Sequence, residues 1–504
     1  MEKKYMAIGI DNNPFNPGYD VLPPVLAGRD NLKNEVNRRL ARTGTGEKNP
    51  TAIALIGPRG CGKTALLAWI IKKAEKKKLP VIKLTKQHVQ SVEEIQKFLI
   101  SQVDTKSWLE GLTLGGELKD PFVQLASFKG EYKWGAEATP GDKSRFLESL
   151  LAVASTKGLA ILIDEAHDMS PEVGHIFYDA AQSAALNNPI MLVIAGTPDL
   201  ESVLERSHAT FVERMNTKRI GRLSWDDTSR ALIEPFGNNV TFDDNAKFSI
   251  LSRTQGYPYF IQHWGSALWD ALVRKGVTHV GDEEMKEARK TFDQARHELY
   301  NRRLHELDGE GMLAPVAEIA FRIGENGKPS RSDFMAITQK MAYTRDRWEA
   351  EEKLLHTGFI WQEGIGNWQF GIPSLATHVR KEAVSMVLDR IKEENALLSF
   401  RRIRSYFKLE PLLPTSYLEK NLRTVLKETN QEKLVEKHLA AFSRMGLLVP
   451  DPDMSKEHMV LTAPLLTEAV IAEADRLEAK PENEPIQEPT LQSRNEPDDY
   501  TPRM

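Results

Sequence analysis

The chain is poor in cysteine and has no long apolar run, and these shortages exclude several classes of protein. Its single cysteine is Cys61, so an intramolecular disulfide framework is impossible and a reducing compartment is expected. No stretch of about 18 uninterrupted apolar residues occurs, so we expect no transmembrane helix. Met1–Ile10 has two lysines but not the long apolar segment of a signal peptide. The sequence therefore predicts a cytoplasmic protein with no membrane partner.

An excess of basic charge is also missing. The net charge is −4, from 67 Lys and Arg against 71 Asp and Glu, so no global basic field indicates nucleic acid. Histidine and cysteine do not cluster with metal-ligand spacing, so we expect no metal other than one carried by a bound nucleotide. A hydrophobic content of 41% is enough for real cores, and 504 residues predict several domains.

The most informative motif lies in residues 51–71, TAIALIGPRGCGKTALLAWII. The apolar run before it reads as a buried strand and the run after it as a helix, with G-x-x-x-x-G-K-T between them. Glycines let backbone N–H groups surround a phosphate, and the start of the helix adds the positive end of its dipole. Lys63 would reach the β- and γ-phosphates, and the Thr64 hydroxyl would hold Mg²⁺. The predicted phosphate-binding residues are Gly57, Pro58, Arg59, Gly60, Cys61, Gly62, Lys63, Thr64 and Ala65.

Two carboxylates follow a second apolar run, Leu159–Ile163, which reads as a central parallel strand. Asp164 would hold Mg²⁺ through water, and Glu165 would orient or deprotonate the attacking water. A surface Asp-Glu pair after a core strand is the alternative. The phosphate-binding loop upstream favours the catalytic interpretation, because ligands of parallel sheets lie at the carboxyl ends of the strands.

A third strand, Ile190–Ala195, is followed by Gly196 and Thr197. Thr197 would lie beside the γ-phosphate, unless it is only a turn-forming threonine before a proline. The run Pro80–Leu84 predicts one more strand. Together these segments give the βαβ rhythm of a parallel sheet, and the fold class predicted for this part is α/β.

The remaining sequence predicts an insertion, a helical region and two winged helices. Residues 111–135 contain repeated glycines and alternating aromatics, which indicate a hairpin-like insertion. From Trp225 to Leu307 the pattern is helical, and helices followed by two short strands then occur twice, as in a winged helix. The last residues are acidic and rich in proline. The predicted domains are an extended lead-in (1–24), an ATPase core (25–224), a helical lid (225–308), a winged helix (309–390), a second winged-helix-like domain (391–476) and a disordered tail (477–504).

This motif set resembles the AAA+ ATPases of the origin-recognition/initiator-loader type and the related STAND signalling NTPases. The similarity rests on GPRGCGKT, LAILIDEA, the strand ending IAGTP, and Leu26-Ala27-Gly28-Arg29, and it covers roughly 25–383. It implies a P-loop parallel-sheet AAA+ core with a helical lid, followed by mainly α winged-helix domains. It also implies ATP with Mg²⁺, a place for Arg29 near the adenine and a sensor role for Thr197.

The resemblance further implies an arginine finger and a role for the lid. Arg214 lies where such ATPases place a finger that reaches the γ-phosphate of a neighbouring subunit, with Arg219 and Arg222 as alternatives. The lid departs from many AAA+ proteins, because no arginine occurs between Gly256 and Gly265. Gly256-Tyr257-Pro258 is instead similar to the G-x-P element of STAND lids, whose proline packs on the nucleotide. This implies that Pro258 contacts the nucleotide and that hydrolysis is slow.

Two interpretations of the biological role remain open at this point. In the first, the protein is an ATP-dependent switch that acts on duplex DNA through basic residues of the second winged helix: Arg401, Arg402, Arg404 and Lys408. In the second, it is a STAND-like signalling or scaffold ATPase whose winged helices regulate the nucleotide site and whose partners are proteins. A homo-oligomer or a partner protein is expected in either case. A metabolic kinase is a weak third interpretation, since nothing resembles an acceptor-substrate site.

Overall fold

The computed structural model describes residues 9–18, 21–102, 139–207, 212–309, 311–323, 332, 354–355, 358–364, 367–372, 374–450 and 457–479. The chain divides into two compact units, Met1–Lys290 and Thr291–Met504. The predicted insertion at 111–135 and residues 480–504 of the predicted tail lie outside the described residues. Among the described residues, no helix combines the length and apolarity that crossing a membrane requires.

The first unit is built on a parallel sheet. Its strands are β1 (Ile53–Ile56), β2 (Val81–Leu84), β3 (Leu159–Ile163), β4 (Ile190–Gly196) and β5 (Asn216–Arg219). Their order across the sheet is β2-β3-β4-β1-β5, and every pairing is parallel. All residues of β1, β3 and β4 are buried, as expected for strands covered on both faces. The α/β class and the four strands predicted from apolar runs are confirmed.

Helices surround this sheet. They are α1 (Asp30–Gly44), α2 (Lys63–Lys76), α3 (Val92–Gln102), α4 (Pro140–Ala154), α5 (Pro171–Asn187) and α6 (Leu200–Arg206). Two of them start at clear caps. The Thr139 side chain accepts from the backbone of Asp142 before α4, and Ser170 Oγ accepts from the backbone N–H of Val173 (3.3 Å) before α5.

A mainly helical region follows, as the sequence predicts. It consists of α7 (Trp225–Ile233), β6 (Thr241–Phe242), α8 (Asp244–Thr254), α9 (Pro258–Lys275), β7 (His279–Val280) and α10 (Asp282–Gly309). The N-terminal segment packs on α9: the Trp269 indole N–H donates to the Gly9 carbonyl (2.9 Å), and a Cβ on Gly265 would lie 2.2 Å from the buried ring of Phe15. Sequence analysis gave this segment no partner.

The second unit contains two small antiparallel sheets among helices. Its elements are α11 (Leu313–Ile323), β8 (Ile360–Gly364), β9 (Asn367–Phe370), α12 (Leu375–Glu393), α13 (Leu397–Leu409), β10 (Leu412–Pro414), α14 (Thr415–Lys427), α15 (Val435–Arg444), β11 (Leu448–Pro450), β12 (His458–Leu461) and α16 (Pro464–Glu478). β8 pairs with β9, and β12 lies between β10 and β11. Within the winged helix predicted at 309–390, residues 324–331, 333–353 and 356–357 lie outside the described residues.

A buried carboxylate links two helices of the second unit. Glu318 on α11 is fully buried and accepts from the backbone N–H groups of Leu465 (2.8 Å) and Leu466 (3.2 Å) at the start of α16. Arg322 lies 3.2 Å from the same carboxylate. A negative charge at a helix N-terminus stabilises the unpaired N–H groups there.

Candidate nucleotide site

The ends of three neighbouring strands bring the predicted catalytic residues to one edge of the sheet. In the register of the sheet, Ile56 is opposite Gly196 and Ile163 is opposite Ile194. The strands are parallel, so the residues that follow them emerge on the same side. The phosphate-binding loop, Asp164 and Thr197 therefore lie at the carboxyl edge, where such sheets place their ligands.

The loop between β1 and α2 is tightly confined. A Cβ on Gly57 would lie 2.0 Å from the carbonyl oxygen of Ile220, so only glycine fits there. Gly62, directly before α2, has φ +89°, a conformation that glycine adopts without strain. Lys63 is buried, and its Nζ donates to the carbonyls of Gly57 (2.7 Å) and Pro58 (3.0 Å). The ammonium group is thus held inside the loop.

Asp164 and Glu165 leave β3 with an irregular backbone. Asp164 is buried, and its N–H donates to the Leu84 carbonyl of β2 (2.9 Å). Glu165 has φ +53°, a left-handed conformation that costs about 1–3 kcal/mol in a residue other than glycine. Its N–H donates to Asp164 Oδ1 (3.1 Å). Strain of this kind persists where the surrounding structure imposes it, as at functional sites.

Burial perturbs the pKa values of two oppositely charged groups in the site. It lowers the pKa of Lys63, and the negative charge of Glu165 is the largest influence that opposes this shift. Burial likewise raises the pKa of Glu165, which the positive charge of Lys63 opposes. Perturbed titratable groups of opposite sign in one place are typical of catalytic and ligand sites.

Thr197 is buried at the end of β4 and is tied to the loop after β3. Its hydroxyl donates to Asp199, and its backbone N–H donates to Nδ1 of His167 (3.3 Å). His167 Nε2 in turn lies 3.1 Å from Oε2 of Glu165. The structure therefore connects the predicted sensor to the predicted base through a histidine that sequence analysis did not single out.

The start of α9 contacts the phosphate-binding loop directly. The Tyr257 hydroxyl donates to the Arg59 carbonyl (2.5 Å), and the Tyr259 backbone N–H donates to the Gly60 carbonyl (3.2 Å). A Cβ on Gly62 would lie 3.9 Å from Cβ of Pro258, so the proline lies beside the loop. Tyr257 was missed as a site residue, although it lies inside the G-x-P element.

The arginines predicted around the nucleotide are less closely gathered. The guanidinium of Arg29 donates to the carbonyls of Gly28 (3.2 Å) and Gly221 (2.5 Å). Gly221 directly follows Ile220, whose backbone touches the phosphate-binding loop, so Arg29 is one short segment away from that loop. Arg219, at the end of β5, pairs with Glu201 (3.1 Å).

Of the other finger candidates, Arg222 is half-buried. Arg214 ends a single 3₁₀ turn, Val212–Arg214, just before the edge strand β5, and its side chain lies outside the described part of the chain.

The basic cluster predicted to contact DNA lies on α13 and is largely ion-paired. Arg401 contacts Asp475 (2.5 Å) and Glu478 (2.9 Å). Arg404 and Lys408 both contact Glu468, at 2.7 and 3.0 Å. All three acidic partners lie on α16, so much of the positive charge of the cluster is matched within the second unit. The fourth member, Arg402, is exposed.

Comparison with known proteins is informative for the first unit. Residues 46–204 match the family model of an AAA domain. No curated protein matches the chain in sequence.

Similar solved structures include the Orc1 protein of Aeropyrum pernix in complex with DNA, at 15% identity over 71% of this chain and 94% of that chain (TM-score 0.38). Cdc6p of Pyrobaculum aerophilum is 14% identical over 94% of this chain and 100% of that chain (TM-score 0.40). The RuvB Holliday junction branch migration motor of Thermotoga maritima is 16% identical over 70% of this chain and 95% of that chain (TM-score 0.38). Global similarity at this level carries no weight for function.

The matched residues contain the phosphate-binding loop and the strands that place Asp164, Glu165 and Thr197 beside it. Residues 46–204 therefore form an AAA domain that carries all four of these features.

Proposed function

We propose that the protein binds and hydrolyses ATP with Mg²⁺ and acts as a nucleotide-dependent switch, with DNA as its target through winged helices. The observation that carries the ATPase proposal is the meeting of Lys63, Glu165 and Thr197 at one edge of the sheet, after β1, β3 and β4. A buried lysine and a half-buried carboxylate that offset each other fit an anionic ligand with a bound cation.

The residues present fit ATP and Mg²⁺. The backbone of the loop from Gly57 to Ala65 would surround the phosphates, and Lys63 would contact the β- and γ-phosphates. Thr64 and Asp164 would hold Mg²⁺, which neutralises developing charge on the phosphates when bound.

Three further residues would serve the hydrolytic step. Glu165 would accept a proton from the attacking water, or orient that water, and Thr197 would sense the γ-phosphate. Arg214 would act on the nucleotide of a neighbouring copy, which makes a homo-oligomer part of the proposal.

The lid would govern how long the nucleotide stays bound. The start of α9 contacts the loop through Tyr257 and Tyr259, and Pro258 would pack on the nucleotide, with Arg29 near the base. No arginine of α9 before Gly265 is available to act on the phosphates. We therefore propose that turnover is slow. The single cysteine fits a reducing compartment such as the cytoplasm.

The DNA proposal rests on the order of elements in the second unit. Helix α13, strand β10, helices α14 and α15, then strands β11 and β12 form the helix–strand–helix–helix–strand–strand order of a winged helix, which supports a domain at 391–476. Of the proposed winged helix at 309–390, the structure describes helix α11, the antiparallel pair β8–β9 and the helix α12 that follows it. The other boundaries, including the tail from 477, remain proposals too.

One observation favours a protein partner instead of DNA. Besides the pairs on α13, the exposed basic residues of α15 are matched, since Lys437 (2.8 Å) and Arg444 (3.2 Å) both contact Glu394. Helix α15 is the second helix after β10, which is the helix that enters the major groove in a winged helix-turn-helix. Because the positive charge of α15 is matched, the second candidate function is a STAND-like role in which these domains bind protein.

Hydrolysis is tested by phosphate release from ATP and Mg²⁺, with Glu165→Gln and Lys63→Ala. The matched control is Glu172→Gln, which removes a carboxylate from an exposed position nearby. We expect turnover in the wild type and the control, with a loss of about 100-fold or more in Glu165→Gln. Equal turnover in Glu165→Gln and the wild type would contradict the assignment of the base.

DNA is tested by titrating duplex DNA at several salt concentrations. Each phosphate contact contributes about −0.9 to the slope of log K against log salt. Arg402 is an exposed member of the cluster, so Arg402→Ala should make the slope shallower by about 1. Binding that is absent at low salt would favour the protein-partnered switch.

A further inference from the structure

The loop after β3 is braced against both neighbouring strands. On one side Asp168 pairs with Lys86, just beyond β2 (3.0 Å). On the other side Nδ1 of His167 accepts from the backbone N–H of Thr197, just beyond β4 (3.3 Å). Glu165 lies between these two braces with its left-handed backbone. The position of its carboxylate therefore depends on contacts that the phosphate-binding loop does not make.

The hydrogen bond from Thr197 sets the chemistry of the His167 ring. Because Nδ1 accepts, the neutral imidazole carries its proton on Nε2. Nε2 lies 3.1 Å from Oε2 of Glu165, close enough for an electrostatic contact although the geometry is not that of a hydrogen bond. The His167 side chain is 0% exposed and that of Glu165 is 23% exposed. The ring is thus the fixed partner and the carboxylate the adjustable one.

We propose that His167 is a positioning residue that holds Glu165 and links it to Thr197. A displacement of Thr197 by the terminal phosphate is passed through the ring to the carboxylate that faces the attacking water. One carboxylate oxygen faces Nε2, and the other is left for water. The inference rests on the proposed function, since it assigns a role in ATP hydrolysis.

A metal site explains the same residues less well. Glu165, His167 and Asp168 have ligand atoms within 4.8 Å of one another. However, Nδ1 of His167 already accepts from Thr197, and Asp168 already pairs with Lys86. These contacts account for the group without an ion.

Three substitutions of His167 in the full chain separate positioning from packing. His167→Leu introduces an apolar side chain of similar size and removes both polar contacts. The amide of His167→Asn can replace Nδ1 as acceptor for Thr197, whereas the amide of His167→Gln reaches the place of Nε2 beside Glu165. The control is His438→Gln, which alters another fully buried histidine, one that bonds Ser399 in the second unit (2.8 Å).

The measurements are kcat at saturating ATP, the affinity for ATP, thermal stability, and hydrogen exchange at the Thr197 amide. We expect kcat to fall about 10-fold or more in His167→Leu and His167→Asn while the Kd of ATP changes less than about 2-fold, because positioning a base affects the transition state and not ground-state binding. His167→Gln should recover much of the kcat. Exchange at Thr197 should become faster in His167→Leu and stay slow in His167→Asn.

Three results would overturn the inference. The first is a kcat of His167→Leu within about 2-fold of the wild type. The second is an equal loss in the Leu, Asn and Gln variants together with lower thermal stability, which indicates packing alone. The third applies if the wild type shows no turnover, which contradicts the proposed hydrolysis. In that case, unchanged hydrogen exchange at the Thr197 amide in His167→Leu would also overturn the link between His167 and Thr197. Faster exchange in that variant would support it.

Discussion

Removing the hydroxyl of Tyr257 should loosen the hold of the lid on the phosphate-binding loop. This hydroxyl donates to the Arg59 carbonyl at 2.5 Å, beside the backbone bond from Tyr259 to Gly60 at 3.2 Å. The Tyr257 ring contacts Phe260 edge-on with centroids 4.8 Å apart, a contact that phenylalanine preserves. Tyr257→Phe therefore removes one hydrogen bond and leaves the packing in place.

The size of the effect follows from that single bond. A neutral hydrogen bond contributes about 1 kcal/mol net, which corresponds to about a fivefold change in an equilibrium or rate constant. The bond must break when the lid leaves the loop, and it is absent while the lid is open. We therefore expect nucleotide dissociation to be about fivefold faster in Tyr257→Phe, with an unchanged association rate.

Stopped-flow displacement of a fluorescent ADP analogue measures this rate. Tyr259→Phe is the matched control, because Tyr259 reaches the loop through its backbone N–H, which the substitution keeps. Its dissociation rate should equal that of the wild type. The reasoning is refuted if Tyr257→Phe releases nucleotide no faster than the wild type, or if the two variants accelerate release equally.

Substitutions at three further positions test other contacts. Gly57→Ala should abolish nucleotide binding in a fluorescence titration, because its Cβ would lie 2.0 Å from the Ile220 carbonyl oxygen. Glu318→Ala should lower the free energy of unfolding of the second unit by about 3 kcal/mol in urea, since two N–H groups of α16 lose a charged acceptor, whereas Glu318→Gln should cost about 1 kcal/mol. Burial lowers the pKa of His378 from 6.5 to about 4, so the unfolded chain binds the proton first. The second unit should then lose stability as the pH falls from about 6.5 to about 4, and less so in His378→Gln.

Each of these expectations can fail in a specific way. Retained nucleotide affinity in Gly57→Ala would show that the backbone at Ile220 moves to make room for the added Cβ. Equal losses in the alanine and glutamine variants of Glu318 would mean that a neutral acceptor contributes nothing at the start of α16. An identical pH dependence of unfolding in wild type and His378→Gln would indicate that other groups are responsible.

The sequence was informative where function depends on strand ends and much less where it depends on long-range contacts. Apolar runs ending in Gly57, Asp164 or Thr197 predict parallel strands, and parallel strands necessarily bring their carboxyl ends together. The contact of Tyr257 with Arg59 joins residues 198 positions apart, and no local pattern marks it. The same holds for the bond between His167 and Thr197, which depends on the order of β3 and β4 in the sheet.

Charge was the property that sequence reasoning resolved least. Arg401, Arg404 and Lys408 look like a basic face along the chain, but α16 brings Glu468, Asp475 and Glu478 against them. Exposed pairs of this kind are worth about 0–1 kcal/mol each, so they do not prevent binding to phosphate energetically. They do cancel the electrostatic field that attracts phosphate, and such a field acts before the protein and the nucleic acid come into contact.

The nucleotide site has two structural connections that leave it in different directions. The Tyr257 hydroxyl joins the Arg59 carbonyl to the lid, and His167 joins Thr197 to Glu165. Under the proposed function, release of nucleotide would require the first connection to break, whereas hydrolysis would require the second to hold. Because the two share no residue, substitutions in one should add to those in the other with little coupling. A protein built in this way can keep its nucleotide for long periods and still respond when the terminal phosphate is lost, which is the behaviour that a switch needs.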